Sequence, residues 1–210
     1  MRKWNAKDYR TMPWKNGGGS TTELAIFPEG ASIEHFVWRL STATVSQDGP
    51  FSHFAQIDRS LAILSGEGLI LKEDIDSDRE KSYSLNKTSL LHRFSGEDKI
   101  YAELIEGTVV DLNLMTRRDV CQHFMQRLEA GGHEVKAEDA QQILLFCEAG
   151  NAKLNRHLLL EAGDLILLEE EHEGAGIKFH LQAEEGALLY LMRISFLYHQ
   201  EQHGGTHALG

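Results

Sequence analysis

The amino-acid sequence predicts an all-β fold made of two stacked jelly-roll-like units with little helix. Short segments that alternate apolar and polar residues, many of them β-branched or aromatic, recur along the chain between Gly, Asp, Asn or Ser residues. Segments with a long helical periodicity are nearly absent. The strand-like segments fall into two groups, which is typical of two antiparallel sandwiches or barrels in one chain.

The predicted strands follow one another at short intervals in both groups. The first group comprises residues 22–27, 36–45, 60–64, 68–72, 89–94, 100–104 and 109–115. The second group comprises residues 142–148, 157–160, 164–168, 176–180 and 187–195. Residues 120–128 fit a helix and a strand almost equally well, and we favour a strand.

The connections are predicted from their turn residues. Residues 65–68 are expected to close a hairpin, and the segment 160–170 repeats the same pattern in the second group. The acidic stretch 72–83 is expected to be a surface loop, and residues 129–142 a connector. The predicted divisions are a first unit over 1–128, a second over 129–198 and a flexible tail over 199–210.

The charge distribution limits the partners. The chain has 210 residues, with 21 Lys and Arg against 32 Asp and Glu and a net charge of −11. This excess of acid argues against nucleic acid and anionic membranes as partners. From Val120 onward there are six basic against fourteen acidic residues, which leaves fifteen against eighteen before it. A small anion is therefore expected to bind in the first unit.

Targeting signals and paired cysteines are not evident. No apolar run is long enough to cross a membrane, and the first ten residues lack the apolar core of a secretory signal, so we expect a cytoplasmic protein. Cys121 and Cys147 are far apart and form no CxxC motif. We expect two buried free thiols, with neither a disulfide nor a thiolate zinc site.

The stretch PWKNGGGSTTEL, residues 13–24, does not fit a nucleotide-binding loop. Lys15 precedes the glycines, whereas a phosphate loop needs its lysine after the last glycine, and the GxGxxG spacing fails at Thr22. Consecutive glycines allow close backbone approach and unusual φ angles, so they could present Trp14, Lys15 and Asn16 at the rim of a pocket. A plain flexible entry loop is the alternative.

Two predicted strands carry polar residues on alternate positions. In FVWRLSTATV, Arg39 and Ser41 lie on the face opposite Trp38 and Leu40. In VVDLNLMTRRD the polar face holds Asp111, Asn113 and Met115, and the opposite face holds leucines. The alternation does not say which face is buried, so a polar cavity and a solvated outer face both remain open.

The segment 48–68 concentrates further candidate residues. Asp58 and Arg59 could form an internal ion pair, or could supply one acceptor and one donor for a ligand. His53 is more often a structural histidine than a base in such a context. No HxH motif occurs among the eleven histidines and no GxSxG elbow is present, so we expect no metal and no cofactor.

Four sequence blocks resemble the HutD/Ves family. They are PWKNGGGSTTEL, FVWRLSTATVSQDGPFSHFAQIDRSLAILSGEGLIL, FSGEDKIYAEL and VVDLNLMTRRD, in the expected order from Pro13 to about Asp119. The resemblance implies a bicupin, with two cupin barrels and without the usual cupin metal ligands. It places the family's pocket motifs on Lys15, Asn16, Arg39, Ser41, Phe51, Asp58, Arg59, Asn113, Met115 and Arg117.

The expected function is non-enzymatic binding of a small carboxylate metabolite. The resemblance implies a role in histidine utilisation, with a ligand such as urocanate or N-formylglutamate, or a Ves-like role in stress response, and it leaves a homodimer open. The expected carboxylate clamps are Arg39, Arg59 or Arg117, the amide partners Asn16 and Asn113, and the apolar walls Trp14, Phe51 and Met115. We expect Arg39→Ala to cost more affinity than Arg79→Ala.

Two other functions remain open at this point. One is a metal-independent cupin isomerase or lyase that acts on a small acid, with His53 or Asp58 as general base. The other is an interaction module that binds a protein partner through the acidic second unit and leaves the first barrel empty.

Overall fold

The computed structural model describes residues 1–74, 78, 80–172 and 174–197, and these residues form antiparallel β-sheets without any helix. The all-β prediction is therefore confirmed. The strands are β1 (Arg2–Trp4), β2 (Arg10–Pro13), β3 (Gly19–Phe27), β4 (Trp38–Val45), β5 (Gly49–Pro50), β6 (Ile57–Ser65), β7 (Leu69–Glu73), β8 (Lys81–Leu85), β9 (His92–Ser95), β10 (Ile100–Leu104), β11 (Val109–Arg117), β12 (Cys121–Ala137), β13 (Gln142–Ala149), β14 (Asn151–Leu154), β15 (Leu158–Glu161), β16 (Leu165–Glu169) and β17 (Ile177–Phe196).

Three sheets contain these strands. A six-stranded sheet has the order β2-β3-β4-β11-β6-β9, and a four-stranded sheet has the order β5-β10-β7-β8. A seven-stranded sheet has the order β1-β16-β13-β17-β14-β15, with β12 also pairing with β17. The N-terminal strand β1 thus joins the sheet formed mostly by the second half of the chain.

Two of the predicted hairpins are wrong because the strands on either side of each connection do not pair with one another. Strand β6 lies in the six-stranded sheet and β7 in the four-stranded sheet, so residues 65–68 do not close a hairpin. Gly66 and Gly68 both have positive φ, and an added Cβ on Gly68 would lie 2.0 Å from the Leu85 carbonyl oxygen. The second predicted hairpin fails similarly, since β15 pairs with β14 and β16 pairs with β13.

The long strand β12 corrects a third prediction. The strand favoured for residues 120–128 is confirmed, but the connector interpretation of 129–142 is wrong, because residues 129–137 continue β12 against β17. The pairing is irregular between Glu129 and Gly131, but Gly131 and Gly132 themselves pair in register with Ala183 and Gln182 of β17. β17 likewise joins two predicted strands into one. The division at residues 128 and 129 stays a prediction, and β12 runs across it.

The predicted loop and the predicted tail include residues outside the described ranges. The predicted loop 72–83 contains the end of β7 and the start of β8, and its central residues 75–77 and 79 lie outside the described residues. The predicted tail 199–210 also lies outside the described residues. Among the described residues no helix is long and apolar enough to span a membrane.

Buried side chains form three main clusters. One is formed by side chains of the seven-stranded sheet and its connections. The second lies between the six- and four-stranded sheets, and the third between the six- and seven-stranded sheets. In the last cluster Trp38 is 1% exposed, stacks on Phe27 and donates its Nε1–H to Gln142 Oε1 at 2.7 Å. Both cysteines are buried and free, as predicted. Burial raises the pKa of the Cys147 thiol to about 11.

The central strands β4, β6 and β11 of the six-stranded sheet are buried on both faces. Leu40, Leu112 and Leu114 point into the cluster shared with the seven-stranded sheet. Arg39 and Asn113 occupy alternate positions on the same strands, and both are also buried. The two faces left open by the sequence are therefore both internal, and the polar face requires partners or a ligand.

Candidate ligand-binding cavity

The polar face of the six-stranded sheet lines a cavity of about 520 Å³. Its other walls come from residues 47–52, from Phe54 and from Ala102 of the four-stranded sheet. Nine of the eleven predicted site residues line it, namely Trp14, Lys15, Asn16, Arg39, Ser41, Phe51, Arg59, Asn113 and Met115. The structure thus brings most of the predicted set to one place, although the sequence segments that supply it are far apart.

Asp58 and Arg117 do not line this cavity. Asp58 neighbours Arg59 on β6 and therefore points to the other face of the strand, where it accepts a 2.7 Å hydrogen bond from Arg118 Nε. The suggested ion pair between Asp58 and Arg59 is accordingly wrong. Arg117 donates to the backbone carbonyls of Phe36 and Glu34 at 3.1 and 3.0 Å. Both side chains are engaged with the protein.

The glycine stretch forms a hydrogen-bonded turn between β2 and β3 at the edge of the cavity. The Gly17 N–H donates to the Trp14 carbonyl at 3.0 Å, and the Trp14 N–H donates to the Gly19 carbonyl at 2.9 Å. Gly17 has a φ of 73°, which favours glycine. The Trp14 indole donates to Thr21 Oγ1 at 2.8 Å. This turn holds Trp14, Lys15 and Asn16 against the cavity.

Gly19→Ala should destabilise the protein by about 1–3 kcal/mol, as expected for overpacking. An added Cβ would lie 2.2 Å from the Thr44 carbonyl oxygen and 3.0 Å from two ring atoms of Trp14, so β3 or the indole must move. Urea unfolding followed by circular dichroism measures the loss. Gly49→Ala is the matched control, because nothing lies within 4 Å of its added Cβ. Equal midpoints for the two variants would contradict the close packing inferred for Gly19.

Arg59 is a buried cation in the wall of the cavity. It is 6% exposed, and its guanidinium lies over the rings of Phe51 and Phe94 at 5.1 and 4.7 Å from their centroids. It donates to Asn113 Oδ1 at 3.5 Å and to the Ser52 carbonyl at 3.4 Å. Burial lowers the pKa of Arg59 to about 10, although nearby Asp111 opposes this shift. Arg59 has no salt bridge with any carboxylate of the described chain.

Arg39 differs from Arg59 in having a carboxylate partner. Its Nε donates to Glu23 Oε2 at 2.8 Å, and its Nη1 lies 3.5 Å from Ser41 Oγ. Part of its hydrogen-bonding capacity is therefore used within the protein. Arg39 still adds positive charge to the cavity, which Lys15 increases at the rim.

Asp111 is a cavity residue that the sequence prediction did not select. It lies on the face shared with Asn113 and Met115, is 2% exposed, and has no hydrogen-bond partner for its Oδ1 atom within the described residues. Burial raises the pKa of Asp111 to about 7, against the lowering effect of Arg59. A signal for it was present in the strand alternation, which places Asp111 on the same face as two selected residues.

The stability of Asp111→Asn relative to the wild type should increase with pH. The native protein keeps the Asp111 proton up to about pH 7, whereas the unfolded chain releases it near its ordinary value of 3.8. The wild-type free energy of unfolding therefore falls across this range, and the difference between variant and wild type should grow by about 2–3 kcal/mol from pH 5 to pH 7. Urea unfolding at both pH values measures this change.

His123 provides the internal control for that pH experiment. Burial lowers its pKa to about 4, which makes the wild type more stable as the pH rises toward the ordinary histidine value. The same contribution is present in Asp111→Asn and cancels in the difference. A difference that stays constant from pH 5 to pH 7 would contradict the raised pKa of Asp111.

The described histidines lie apart from the cavity and do not form a metal-holding group. His53 is exposed and is not part of the cavity wall. His123 is buried between β6 and β11, where its ring nitrogens contact Ser60 Oγ at 2.8 Å and Thr116 Oγ1 at 2.6 Å. No group of three or more His, Cys, Asp or Glu side chains is placed to hold a metal in the described ranges.

The sheets and the cavity define an all-β protein with a cupin-like fold. A solved structure of an oxalate decarboxylase variant from Bacillus subtilis is similar, with a TM-score of 0.65, 9% identity, and coverage of 95% of this chain and 78% of that one. At this identity the similarity concerns the fold alone. The family is more specific: residues 6–190 match the HutD family model, and the chain belongs to the HutD family.

Relatives and solved structures agree with this assignment. HutD from Pseudomonas fluorescens SBW25, described in a formate condition, has a TM-score of 0.78 and 26% identity, covering 94% of this chain and 99% of that one. An uncharacterised 21.2 kDa protein of Pseudomonas putida, from the hutC 3' region, is 33% identical over 71% of this chain and 75% of its own length. Protein Ves of Citrobacter koseri is 36% identical over 54% of this chain and 58% of its own length.

Proposed function

We propose that this protein binds a small carboxylate metabolite in the cavity and uses Arg59 as the principal clamp. The observation that carries the proposal is a buried guanidinium without a carboxylate partner in the described chain. A buried charge is costly unless it is paired, and the planar guanidinium fork matches a carboxylate. A ligand carboxylate beside Arg59 would supply the missing pair.

The surroundings of Arg59 support a small and partly planar ligand. A volume of about 520 Å³ lies within the range of small-molecule sites. Phe51 and Met115 supply apolar walls, and Asn113 and Asn16 supply amide groups. Lys15 adds positive charge at the rim, which favours an anion over a neutral ligand of the same shape, whereas the charge of Arg39 is offset by Glu23.

The similar proteins support a role in histidine utilisation, because they include HutD and a protein of the hutC 3' region. We therefore propose urocanate or N-formylglutamate as ligands to test, with a regulatory outcome of binding. The enzyme alternative is weakened, since neither candidate base, His53 or Asp58, lines the cavity. A binding function without metal or cofactor, the cytoplasmic location and a homodimer stay predictions.

Isothermal titration of the purified protein with urocanate and with N-formylglutamate tests the proposal. We expect saturable heat for at least one of them, and an affinity at least about tenfold lower for the matching carboxamide, which lacks the negative charge. The product mixture after titration should contain only unchanged ligand. An absence of heat at millimolar ligand, or equal affinity for acid and carboxamide, would contradict the proposal.

A further inference from the structure

Asp111 places an unused hydrogen-bond acceptor in the wall of the same cavity. Its carboxyl group is buried, and Oδ1 has no partner within the described residues. A buried polar atom without a partner costs free energy, and a native protein keeps such an atom mainly where a ligand, water or function requires it. Asp111 also lines the cavity, so a rotation of its carboxyl group would present this acceptor to a molecule that enters.

The register of the strands sets the spacing between Asp111 and the Arg59 clamp. Met115 of β11 is opposite Arg59 of β6, Asn113 is opposite Leu61, and Asp111 is opposite Ile63. The Arg59 side chain reaches back along the sheet to Asn113 Oδ1. Asp111 lies two residues further, which is about 7 Å along a strand. One small ligand can therefore contact both groups.

We propose that Asp111 is a specificity-determining residue that accepts a hydrogen bond from an N–H group of the ligand. This inference rests on the proposed carboxylate site at Arg59. The ligand class is then a carboxylate that carries an amide or azole N–H donor a few bonds away, and a carboxylate with only an ether or furan oxygen in that place is rejected. Rejection follows because two acceptors would face each other in a buried site.

The test uses two probes that differ at one ring atom. These are (E)-3-(1H-pyrrol-2-yl)acrylic acid, which has an N–H donor, and (E)-3-(furan-2-yl)acrylic acid, which has an oxygen acceptor in the same position. Titration calorimetry at pH 8, where Asp111 is ionised, should give an affinity about ten- to a hundredfold higher for the pyrrole with the wild-type protein. Asp111→Asn should bring the two affinities to within about threefold, because an amide presents either a donor or an acceptor.

The outcomes separate this inference from the proposed function. If both probes bind equally well and both lose affinity in Arg59→Leu, the carboxylate site stands and the role of Asp111 is overturned. If neither probe binds the wild type, the carboxylate site fails and the inference fails with it. A preference for the pyrrole that persists in Asp111→Asn also overturns the inference.

Folding of the Asp111 variants is checked independently of binding. Asp111→Asn keeps the shape of the side chain and removes a buried ionisable group, so its circular dichroism spectrum should match the wild type and its thermal midpoint at pH 5 should be equal or higher. Asp111→Leu is a second variant of similar size without polar atoms. It should abolish the preference by weakening pyrrole binding, whereas a preference unchanged from the wild type would overturn the inference.

Discussion

Arg59→Leu should lower the affinity for the carboxylate ligand by about a hundredfold or more, the loss expected when one partner of a buried charge pair is removed. Leucine keeps an apolar side chain among Phe51, Phe54 and Phe94 but provides no charge and no hydrogen-bond donor. The ligand carboxylate would then be buried without a counter-ion. Titration calorimetry with the better of urocanate and N-formylglutamate measures the effect.

Two other arginine variants make this result interpretable. Arg39→Leu should reduce affinity less than Arg59→Leu, because Arg39 already donates to Glu23. Arg10→Leu changes an exposed residue of β2 outside the cavity and should leave affinity unchanged. An Arg59→Leu protein that folds and binds as tightly as Arg10→Leu would remove the basis of the proposed function. Arg79, whose alanine variant was expected to cost less affinity than Arg39→Ala, lies outside the described residues.

Trp38→Ala should destabilise the protein by about 3–5 kcal/mol, the usual cost of truncating a buried tryptophan. The indole fills the cluster between the six- and seven-stranded sheets, and its loss leaves a void beside Phe27. It also leaves Gln142 Oε1, itself buried, without its 2.7 Å donor. Urea unfolding followed by tryptophan fluorescence and circular dichroism measures the change.

Trp14→Ala is the matched control, because it removes the same side chain from the partly exposed rim of the cavity. We expect it to cost about 1 kcal/mol or less, in proportion to the smaller area that it removes from burial. Its main effect should be on ligand affinity. Equal losses of stability in the two variants would show that the contact between the sheets is not the principal core inferred around Trp38.

Alternation along the strands made most of the strands and site residues predictable. The main error of the sequence prediction was in which strands pair with one another. Turn residues at 65–68 correctly marked a change of direction, but whether the chain returns to the same sheet depends on tertiary packing of Gly68 against Leu85. The glycine pair in β12 is likewise typical of a connector, and whether such a segment pairs with another strand also depends on tertiary packing. Both glycines pair in register with β17 and therefore lie within a strand.

The candidate site shows the same limit. Alternation correctly grouped Arg39 with Ser41, and Asn113 with Met115, but could not reveal that both faces of the sheet are internal. The same rule excludes Asp58 from the face of Arg59, and sequence resemblance had selected both residues. Asp111 was missed because its lack of a partner is a property of the folded neighbourhood. The alternation that places Asp111 on the face of Asn113 and Met115 does not show this lack of a partner.

The double burial of the six-stranded sheet has a consequence for how this protein tolerates change during evolution. In β4 the cavity residue Arg39 and the core residue Leu40 are adjacent, and each belongs to a different chemical environment. A deletion or insertion of one residue would exchange their positions, placing the arginine in the hydrophobic core and the leucine in the wall of the proposed anion site. Changes of length within β4 should therefore be eliminated among homologues, while substitutions that keep the polarity and size of each face can persist.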